Sequence, residues 1–208
     1  MGWFFQWLYE PVMAPQEVLG LRRLRRRVVA QARGRVLEVG AGGGPNLPFY
    51  PPGTEAVLSE PEPAMAQRAL ERARRLGLPV QVVQADAQAL PFAEGSFDTV
   101  VSTLVFCTVP DPMAGLREVR RVLRPGGALL FIEHVRGRPG PLAAFQDAIS
   151  PLWRRVTGGC HPNRNTLRVL QEAGFQVHLR GQHLLGILLE AEASPSPGGA
   201  RAEVKGAV

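Results

Sequence analysis

The run Val36-Leu37-Glu38-Val39-Gly40-Ala41-Gly42-Gly43-Gly44 sets an acid inside an apolar strand that breaks into a glycine turn. A carboxylate among apolar neighbours must find hydrogen-bond donors or face a charged ligand. The glycines permit positive φ and let a ligand approach a backbone that has no Cβ in the way. Twenty residues after Gly40, the short apolar segment Ala56-Val57-Leu58-Ser59 closes on Glu60. An acid at that distance can accept both hydroxyls of a ribose; the plainer reading is a solvated strand end, since Glu62 follows. The dinucleotide fingerprint Gly-x-Gly-x-x-Gly needs a third glycine where this chain has Pro45, which argues against a nicotinamide-dependent oxidoreductase.

Further reactive side chains fall later. His134 stands at the carboxyl end of the apolar run Ala128–Val135, the edge where open α/β sheets bind ligands. It is a candidate base or acceptor-positioning group, with a histidine satisfied at a strand end as the alternative. Glu133 either orients it or is solvated. Cys160, His161, Asn163 and Arg164 form a compact polar group in a glycine-containing loop. Arg164 can hold an anionic acceptor or favour a thiolate, or simply serve as a surface arginine. Cys107 reads as a small buried side chain. Two cysteines make neither a disulfide framework nor a four-ligand zinc site, so no metal is expected.

The elements that must position these groups alternate. Short strands at 36–39, 56–59, 80–83, 97–101 and 128–135 are separated by helical patterns. One helix spans 64–76, with Pro63 in its first turn and Gly77 at its end; Met65, Ala69, Leu70 and Ala73 form its core face. Asp111-Pro112 opens another as N-cap and first residue, and Leu116, Val119 and Leu123 line its buried side. A helix over 142–156 and one capped by Asn165 or Thr166 follow, then a closing strand pair at 175–179 and 184–189. Such alternation predicts an α/β fold with a doubly wound, mostly parallel sheet. Leu21, Leu24 and Val28 recur at helical spacing with arginines between them, predicting an amphipathic helix that buries its stripe and solvates its guanidinium face.

Glu38-x-Gly40-x-Gly42-x-Gly44, Asp86-Ala87 followed by Leu90-Pro91-Phe92, and Arg120 to Gly127 before the fifth strand together resemble the class I S-adenosylmethionine (SAM) methyltransferases, nearest the menaquinone/ubiquinone-biosynthesis type. Phe49 to Gly53, Thr103-Leu104-Val105-Phe106-Cys107, Glu133-His134-Val135 and Gly159-Cys160 with Arg164 resemble the methyltransferase-like thiol methyltransferase group. The resemblance implies a Rossmann-like seven-stranded sheet with an antiparallel closing pair, and SAM as cofactor. It implies cofactor contacts from Glu38, Gly40, Ala41, Gly42, Gly44, Glu60, Pro61, Met65, Asp86, Ala87 and Thr103. It places Asp86 at the adenine amino group, although Asp there also suits a helix N-cap. His134, Glu133, Cys160 and Arg164 are the candidate catalytic residues.

The expected function is methyl transfer from SAM to a small, apolar acceptor: a thiol, a quinol-like ring or a phospholipid amine. A nucleic-acid methyltransferase is the first alternative. Yet the place after the fourth strand reads Ser102-Thr103-Leu104-Val105-Phe106, without the Asn/Asp-Pro-Pro-aromatic turn that amino methylation of bases uses, and no Pro-Cys nucleophile is present. A non-catalytic SAM-binding protein is the second. Hydrophobic content of 45% and charged content of 20% are ordinary for a globular enzyme. No apolar run is long enough to span a bilayer, and the start lacks a basic leader, so a cytoplasmic location is expected. The net charge of +6 concentrates in residues 1–35, whose seven arginines face only Glu10 and Glu17. With the aromatic cluster Trp3 to Tyr9, that segment reads as a helical lid or a peripheral membrane contact. Residues 36–190 are expected to form the methyltransferase domain, and 191–208 a disordered tail.

Overall fold

The computed structural model describes residues 20–196 and the backbone of 204–205. The aromatic cluster at the start, and with it most of the expected lid, lies outside the described residues. The strands are β1 (Arg35–Val39), β2 (Glu55–Ser59), β3 (Gln81–Val83), β4 (Phe97–Thr103), β5 (Leu123–His134), β6 (Phe175–His183), β7 (Leu188–Pro195) and the two-residue β8 (Val204–Lys205). They lie side by side in the order β3-β2-β1-β4-β5-β7-β6-β8. Pairs from β3 through β5 are parallel, and β7 runs antiparallel between β5 and β6. This is the expected doubly wound sheet with its antiparallel closing pair, extended by β8.

Side-chain alternation along the strands divides the core into two faces. Leu37, Val39, Val57, Val100, Leu129 and Phe131 point to one, where α3 (Pro112–Val122) and α5 (Thr166–Glu172) cover them with Leu116, Val119 and Leu170. Val36, Val101, Leu130 and Ile132 point to the other, under α1 (Arg22–Val29). There α2 (Pro63–Arg75) covers Ala56 and Leu58 with Ala69 and Ala73. Helix starts follow the expected chemistry. The Asp111 carboxylate accepts the Ala114 N–H at 3.0 Å, and Asn165 does the same for Arg168 at 3.2 Å. The remaining helix, α4 (Pro141–Val156), carries Pro151 inside it and exposes Phe145, Leu152 and Val156.

Four sequence expectations are corrected. The second closing strand is 188–195, not 184–189, because Leu184 and Leu185 take φ of 51° and 60° in a turn. Residues 191–195 are therefore strand rather than disordered tail. Pro125-Gly126-Gly127 falls inside β5 as an irregularity: the register against β4 jumps from Phe97↔Leu123 to Thr99↔Ala128. Finally, α1 does not solvate its whole basic face. Leu21, Leu24 and Val28 are buried as expected, but so is Arg25, at 4% exposure.

Arg25 is buried because a polar network receives it. Its Nη1 donates to Asn46 Oδ1 at 3.0 Å and to Thr103 Oγ1 at 2.5 Å. Asn46 Nδ2 donates in turn to Glu38 Oε1 at 2.9 Å, and the Tyr50 hydroxyl donates to Glu38 Oε2 at 2.6 Å. Burial pushes the Glu38 carboxyl up to about 7, against the pull of the Tyr50 and Asn46 donors and the Arg25 charge. A carboxyl whose folded pKa exceeds its unfolded value binds more protons folded than unfolded between the two. Its contribution is therefore full below about pH 4.5 and is lost as pH rises through about 7. The ligand-free protein should lose stability across that window, with a ceiling on the order of 3 kcal/mol from this group. Glu38→Gln should flatten the melting-temperature profile between pH 5 and pH 8; a slope equal to that of the parent would remove Glu38 as its source.

Candidate active site

Four loops converge at the carboxyl edge of the parallel strands. The first is the glycine turn after β1. Gly40 takes φ of 62°, and a Cβ there would lie 2.7 Å from Val105 Cγ2. No side chain fits. Gly44, at φ of 75°, would press its Cβ to 2.5 Å from Leu47 Cδ1 and 3.4 Å from the Ala69 backbone. Gly44 thus supplies the close helix approach that position 45, a proline, does not. Ala41 is buried, and its N–H donates to Ser59 O at 3.0 Å, which ties the turn to β2.

Glu60, at the end of β2, faces this turn. Its Oε2 accepts the Gly42 N–H at 2.8 Å and its Oε1 accepts the Glu62 N–H at 3.1 Å. Burial raises its pKa, and those two backbone donors work against the rise. Each oxygen retains a second lone pair, so the carboxylate is fixed in place with one acceptor site per oxygen still open. Asp86, after β3, is exposed; its oxygens accept from the Gln88 backbone and side chain at 2.9–3.0 Å.

The loop after β4 is shaped by Glu133. This carboxylate is fully buried and accepts three successive backbone N–H groups: Val105 at 2.8 Å, Phe106 at 2.7 Å and Cys107 at 3.1 Å. Burial raises its pKa, opposed by those donors. Leu104, at φ of 62°, turns the chain into this position. Such a backbone costs of order 1–3 kcal/mol and persists only where its surroundings over-determine it.

The fourth loop follows α4. Arg164 Nη1 donates to Phe106 O at 2.5 Å and to Val109 O at 2.7 Å, and Nη2 lies 3.1 Å from His161 Nδ1. The His161 N–H donates to Cys107 O at 2.7 Å. Burial, then the Arg164 and Arg154 charges, lowers the His161 pKa, which leaves the imidazole neutral at pH 7.

These loops enclose a cleft of about 770 Å³. Of the residues expected at the cofactor, Gly40, Gly42, Glu60, Pro61, Met65, Asp86 and Ala87 line it. Glu38 and Thr103 are instead held in the network beneath α1, and Gly44 acts through packing. Of the candidate catalytic residues, Arg164 lines the cleft. Glu133 neither orients His134 nor is solvated; it holds backbone. His134 points at Cys160, with Nδ1 to Sγ at 3.5 Å. Sequence reasoning missed Thr108, Val109 and Pro110 as cleft wall, and Asn46 with Arg25 as supports of the glycine turn. Apart from adjacency to the β4 strand end, nothing in the sequence marks them.

The geometry fits an adenosine-type cofactor on its own terms: a cradle without Cβ atoms, and a fixed acid with open lone pairs. The comparisons agree. Residues 37–131 match the family described as a methyltransferase domain. The human thiol S-methyltransferase TMT1B is 35% identical over 176 residues, 79% of this chain and 72% of the relative. The phosphatidylethanolamine N-methyltransferase of Cereibacter sphaeroides is 38% identical over 131 residues, 61% of this chain and 64% of the relative. A SAM-dependent methyltransferase structure from Aquifex aeolicus superposes with a TM-score of 0.62 at 20% identity, covering 91% of this chain and 95% of that one, which speaks for the fold. The chain spans 62% of the length of the rat relative and 72% of the human one. It belongs to the SAM-dependent methyltransferases, in the family of the thiol S-methyltransferases.

Proposed function

We propose that the enzyme methylates a small, largely apolar acceptor, preferring a thiol, and that residues 36–135 hold the cofactor while the loop after α4 shapes acceptor selection. The observation that carries this reading is the change in character along the cleft. Its acids, Glu60, Glu62 and Asp86, follow β2 and β3. The wall after β4 is apolar, with Leu104, Val105, Val109 and Pro110, and the facing loop brings Arg154, His161 and Arg164. Cations stabilise a thiolate, the reactive form of a thiol; an ammonium acceptor would be served by acids instead.

SAM supplies an activated methyl group on a sulfonium. The chain's task is alignment, which can account for ~7–11 kcal/mol of a barrier in favourable cases. In this reading Glu60 accepts the ribose hydroxyls, Asp86 accepts from the adenine amino group, and Met65 and Ala87 flank the base. Arg164 biases the acceptor toward its anion, and His161 offers it a hydrogen bond. A second reading, a phospholipid amine, draws on the Cereibacter sphaeroides relative, on the exposed Phe145, Leu152 and Val156 of α4 and on the exposed arginines of α1. Peripheral membrane contact belongs with that reading. A cytoplasmic location accords with two unpaired cysteines. Among the described residues, no helix is long and apolar enough to cross a membrane.

Purified protein given methyl-labelled SAM with matched thiol, quinol and phosphatidylethanolamine acceptors should place label in the thioether fraction. Label confined to lipid amine would replace the thiol reading, and label only in nucleic acid or protein would overturn both. Glu60→Ala should weaken SAM binding roughly tenfold or more by calorimetry, since hydrogen bonds to a charged group contribute about 1.5–3 kcal/mol, with the circular dichroism spectrum kept. Unchanged affinity would remove the ribose assignment. His161→Ala should raise the KM for the acceptor and leave SAM affinity as it was; a change confined to SAM affinity would place His161 at the wrong end of the cleft.

A further inference from the structure

Cys107, His134 and Cys160 meet on the α1 side of β5, although 53 residues separate the two cysteines in the chain. One comes from the loop after β4, one from the end of β5 and one from the loop after α4. All three are buried, and their ligating atoms lie within 4.8 Å of one another. Both cysteines are unpaired. We propose that this trio is a binding site for a zinc-class cation, which pins together the three segments that build the acceptor end of the cleft.

The geometry suits the ion. Zn–S bonds of about 2.3 Å and Zn–N bonds of about 2.0–2.1 Å, at a tetrahedral angle, put sulfur and nitrogen about 3.5 Å apart. Cys160 Sγ and His134 Nδ1 are 3.5 Å apart. The charge suits it as well: two thiolates cancel a divalent cation, and a neutral site is the form that a buried place tolerates. The ligand type selects for zinc, since thiolate and imidazole suit it while calcium and magnesium require oxygen.

The surroundings offer a further donor. Binding of the cation would release the protons that the two thiols carry. Among the described residues the buried indole Nε1–H of Trp153 meets no hydrogen-bond acceptor, and Trp153 packs in the same cluster as Cys160. A metal-bound sulfur is an acceptor of the kind that outer-shell N–H donors serve. Among the described residues no further Cys, His, Asp or Glu joins the group, so the fourth tetrahedral position falls to water or a small thiol.

Location gives the site its consequence. Gly159 and His161, on either side of Cys160, and Thr108, next to Cys107, all line the cleft. A cation on the trio would fix these loops whether or not methyl transfer follows the reading above, so its test does not depend on turnover.

The test uses the full chain, purified under reducing conditions, stripped with a chelator and titrated with Co²⁺ or Zn²⁺. One equivalent of Co²⁺ should produce near-ultraviolet thiolate-to-metal charge-transfer absorption, and one equivalent of Zn²⁺ should abolish it by competition. Zn²⁺ should also slow modification of the two thiols in the parent protein about tenfold or more, a readout that needs no variant. His134→Ala should reduce the charge-transfer band and weaken zinc affinity, and Cys160→Ser should remove the band while the circular dichroism spectrum persists. No band and no thiol protection in the parent protein would overturn the proposal. So would recovery of the chain with neither thiol titratable and two hydrogens lighter in mass, because that product is a disulfide.

Discussion

A single buried carboxylate underlies the arrangement of the cleft. Glu133 sits at zero exposure inside the sheet, and among the described residues no cationic side chain is hydrogen-bonded to it; its partners are the backbone N–H groups of three consecutive residues. An uncompensated charge there would cost far more than the fold's margin of stability, so the chain after β4 is obliged to wrap around it. That wrapping turns Leu104 to positive φ and fixes the direction of Val105, whose side chain fills the space a Gly40 Cβ would need. It also aims the carbonyls of Phe106 and Val109 at Arg164, and that of Cys107 at His161. This wall of the cleft is therefore assembled from backbone groups that are already hydrogen-bonded. This is the rigid support that near-attack alignment requires.

The opposite face of the sheet uses a different device. There a guanidinium, two neutral amide and hydroxyl groups, a phenol and a carboxyl share their hydrogen bonds, so that Arg25 and Glu38 never touch directly yet offset each other's burial. Asn46 is the pivot, since it accepts from Arg25 and donates to Glu38 and Thr103. The glycine turn leaves β1 directly above this group, and its path is set from below by Glu38 and Asn46 as much as from above by Glu60. Glu38 is thus essential to the cradle's shape without lining the cleft.

How much of this was legible in the sequence depends on the range of the interaction. Glu60 was legible because a strand end and a fixed spacing specify it, and Met65 and Ala87 came with the same segments. The strands β1, β2, β4 and β5 announce themselves as apolar runs, as strands buried on both faces do. β7 did not, since Glu190 and Glu192 interrupt its apolar pattern, while Leu184 and Leu185 supplied a false one from a turn. Arg25 looked like its solvated neighbours in an arginine-rich helix, and the partners that receive it, Asn46 and Thr103, lie 21 and 78 residues away. The same limit hid the thiol–imidazole trio, whose members come from three segments with no repeating spacing. Glu133 and His134 were singled out from the correct strand end, but adjacency in sequence says nothing of facing. Neighbouring strand residues point to opposite sides of a sheet, so Glu133 holds the backbone of the loop after β4 while His134 meets the thiols of Cys107 and Cys160 on the α1 side.

The helix α1 has its partners far ahead of it along the chain. Arg25 needs Thr103, and Arg27 donates from Nε to Glu190, 163 residues on, at 2.8 Å. During synthesis at ~5–20 residues per second, the helix would leave the ribosome roughly 8–30 s before its last partner exists. Until β1, β4 and β5 have been made, its leucine and valine stripe has no sheet to dock on, and an isolated helix of eight residues is marginal in water. The tie from Arg27 to Glu190 comes later still, when β7 pairs with β5. A ribosome-bound chain stopped before Glu190 would therefore carry α1 over β1, β4 and β5 with its far edge not yet fastened.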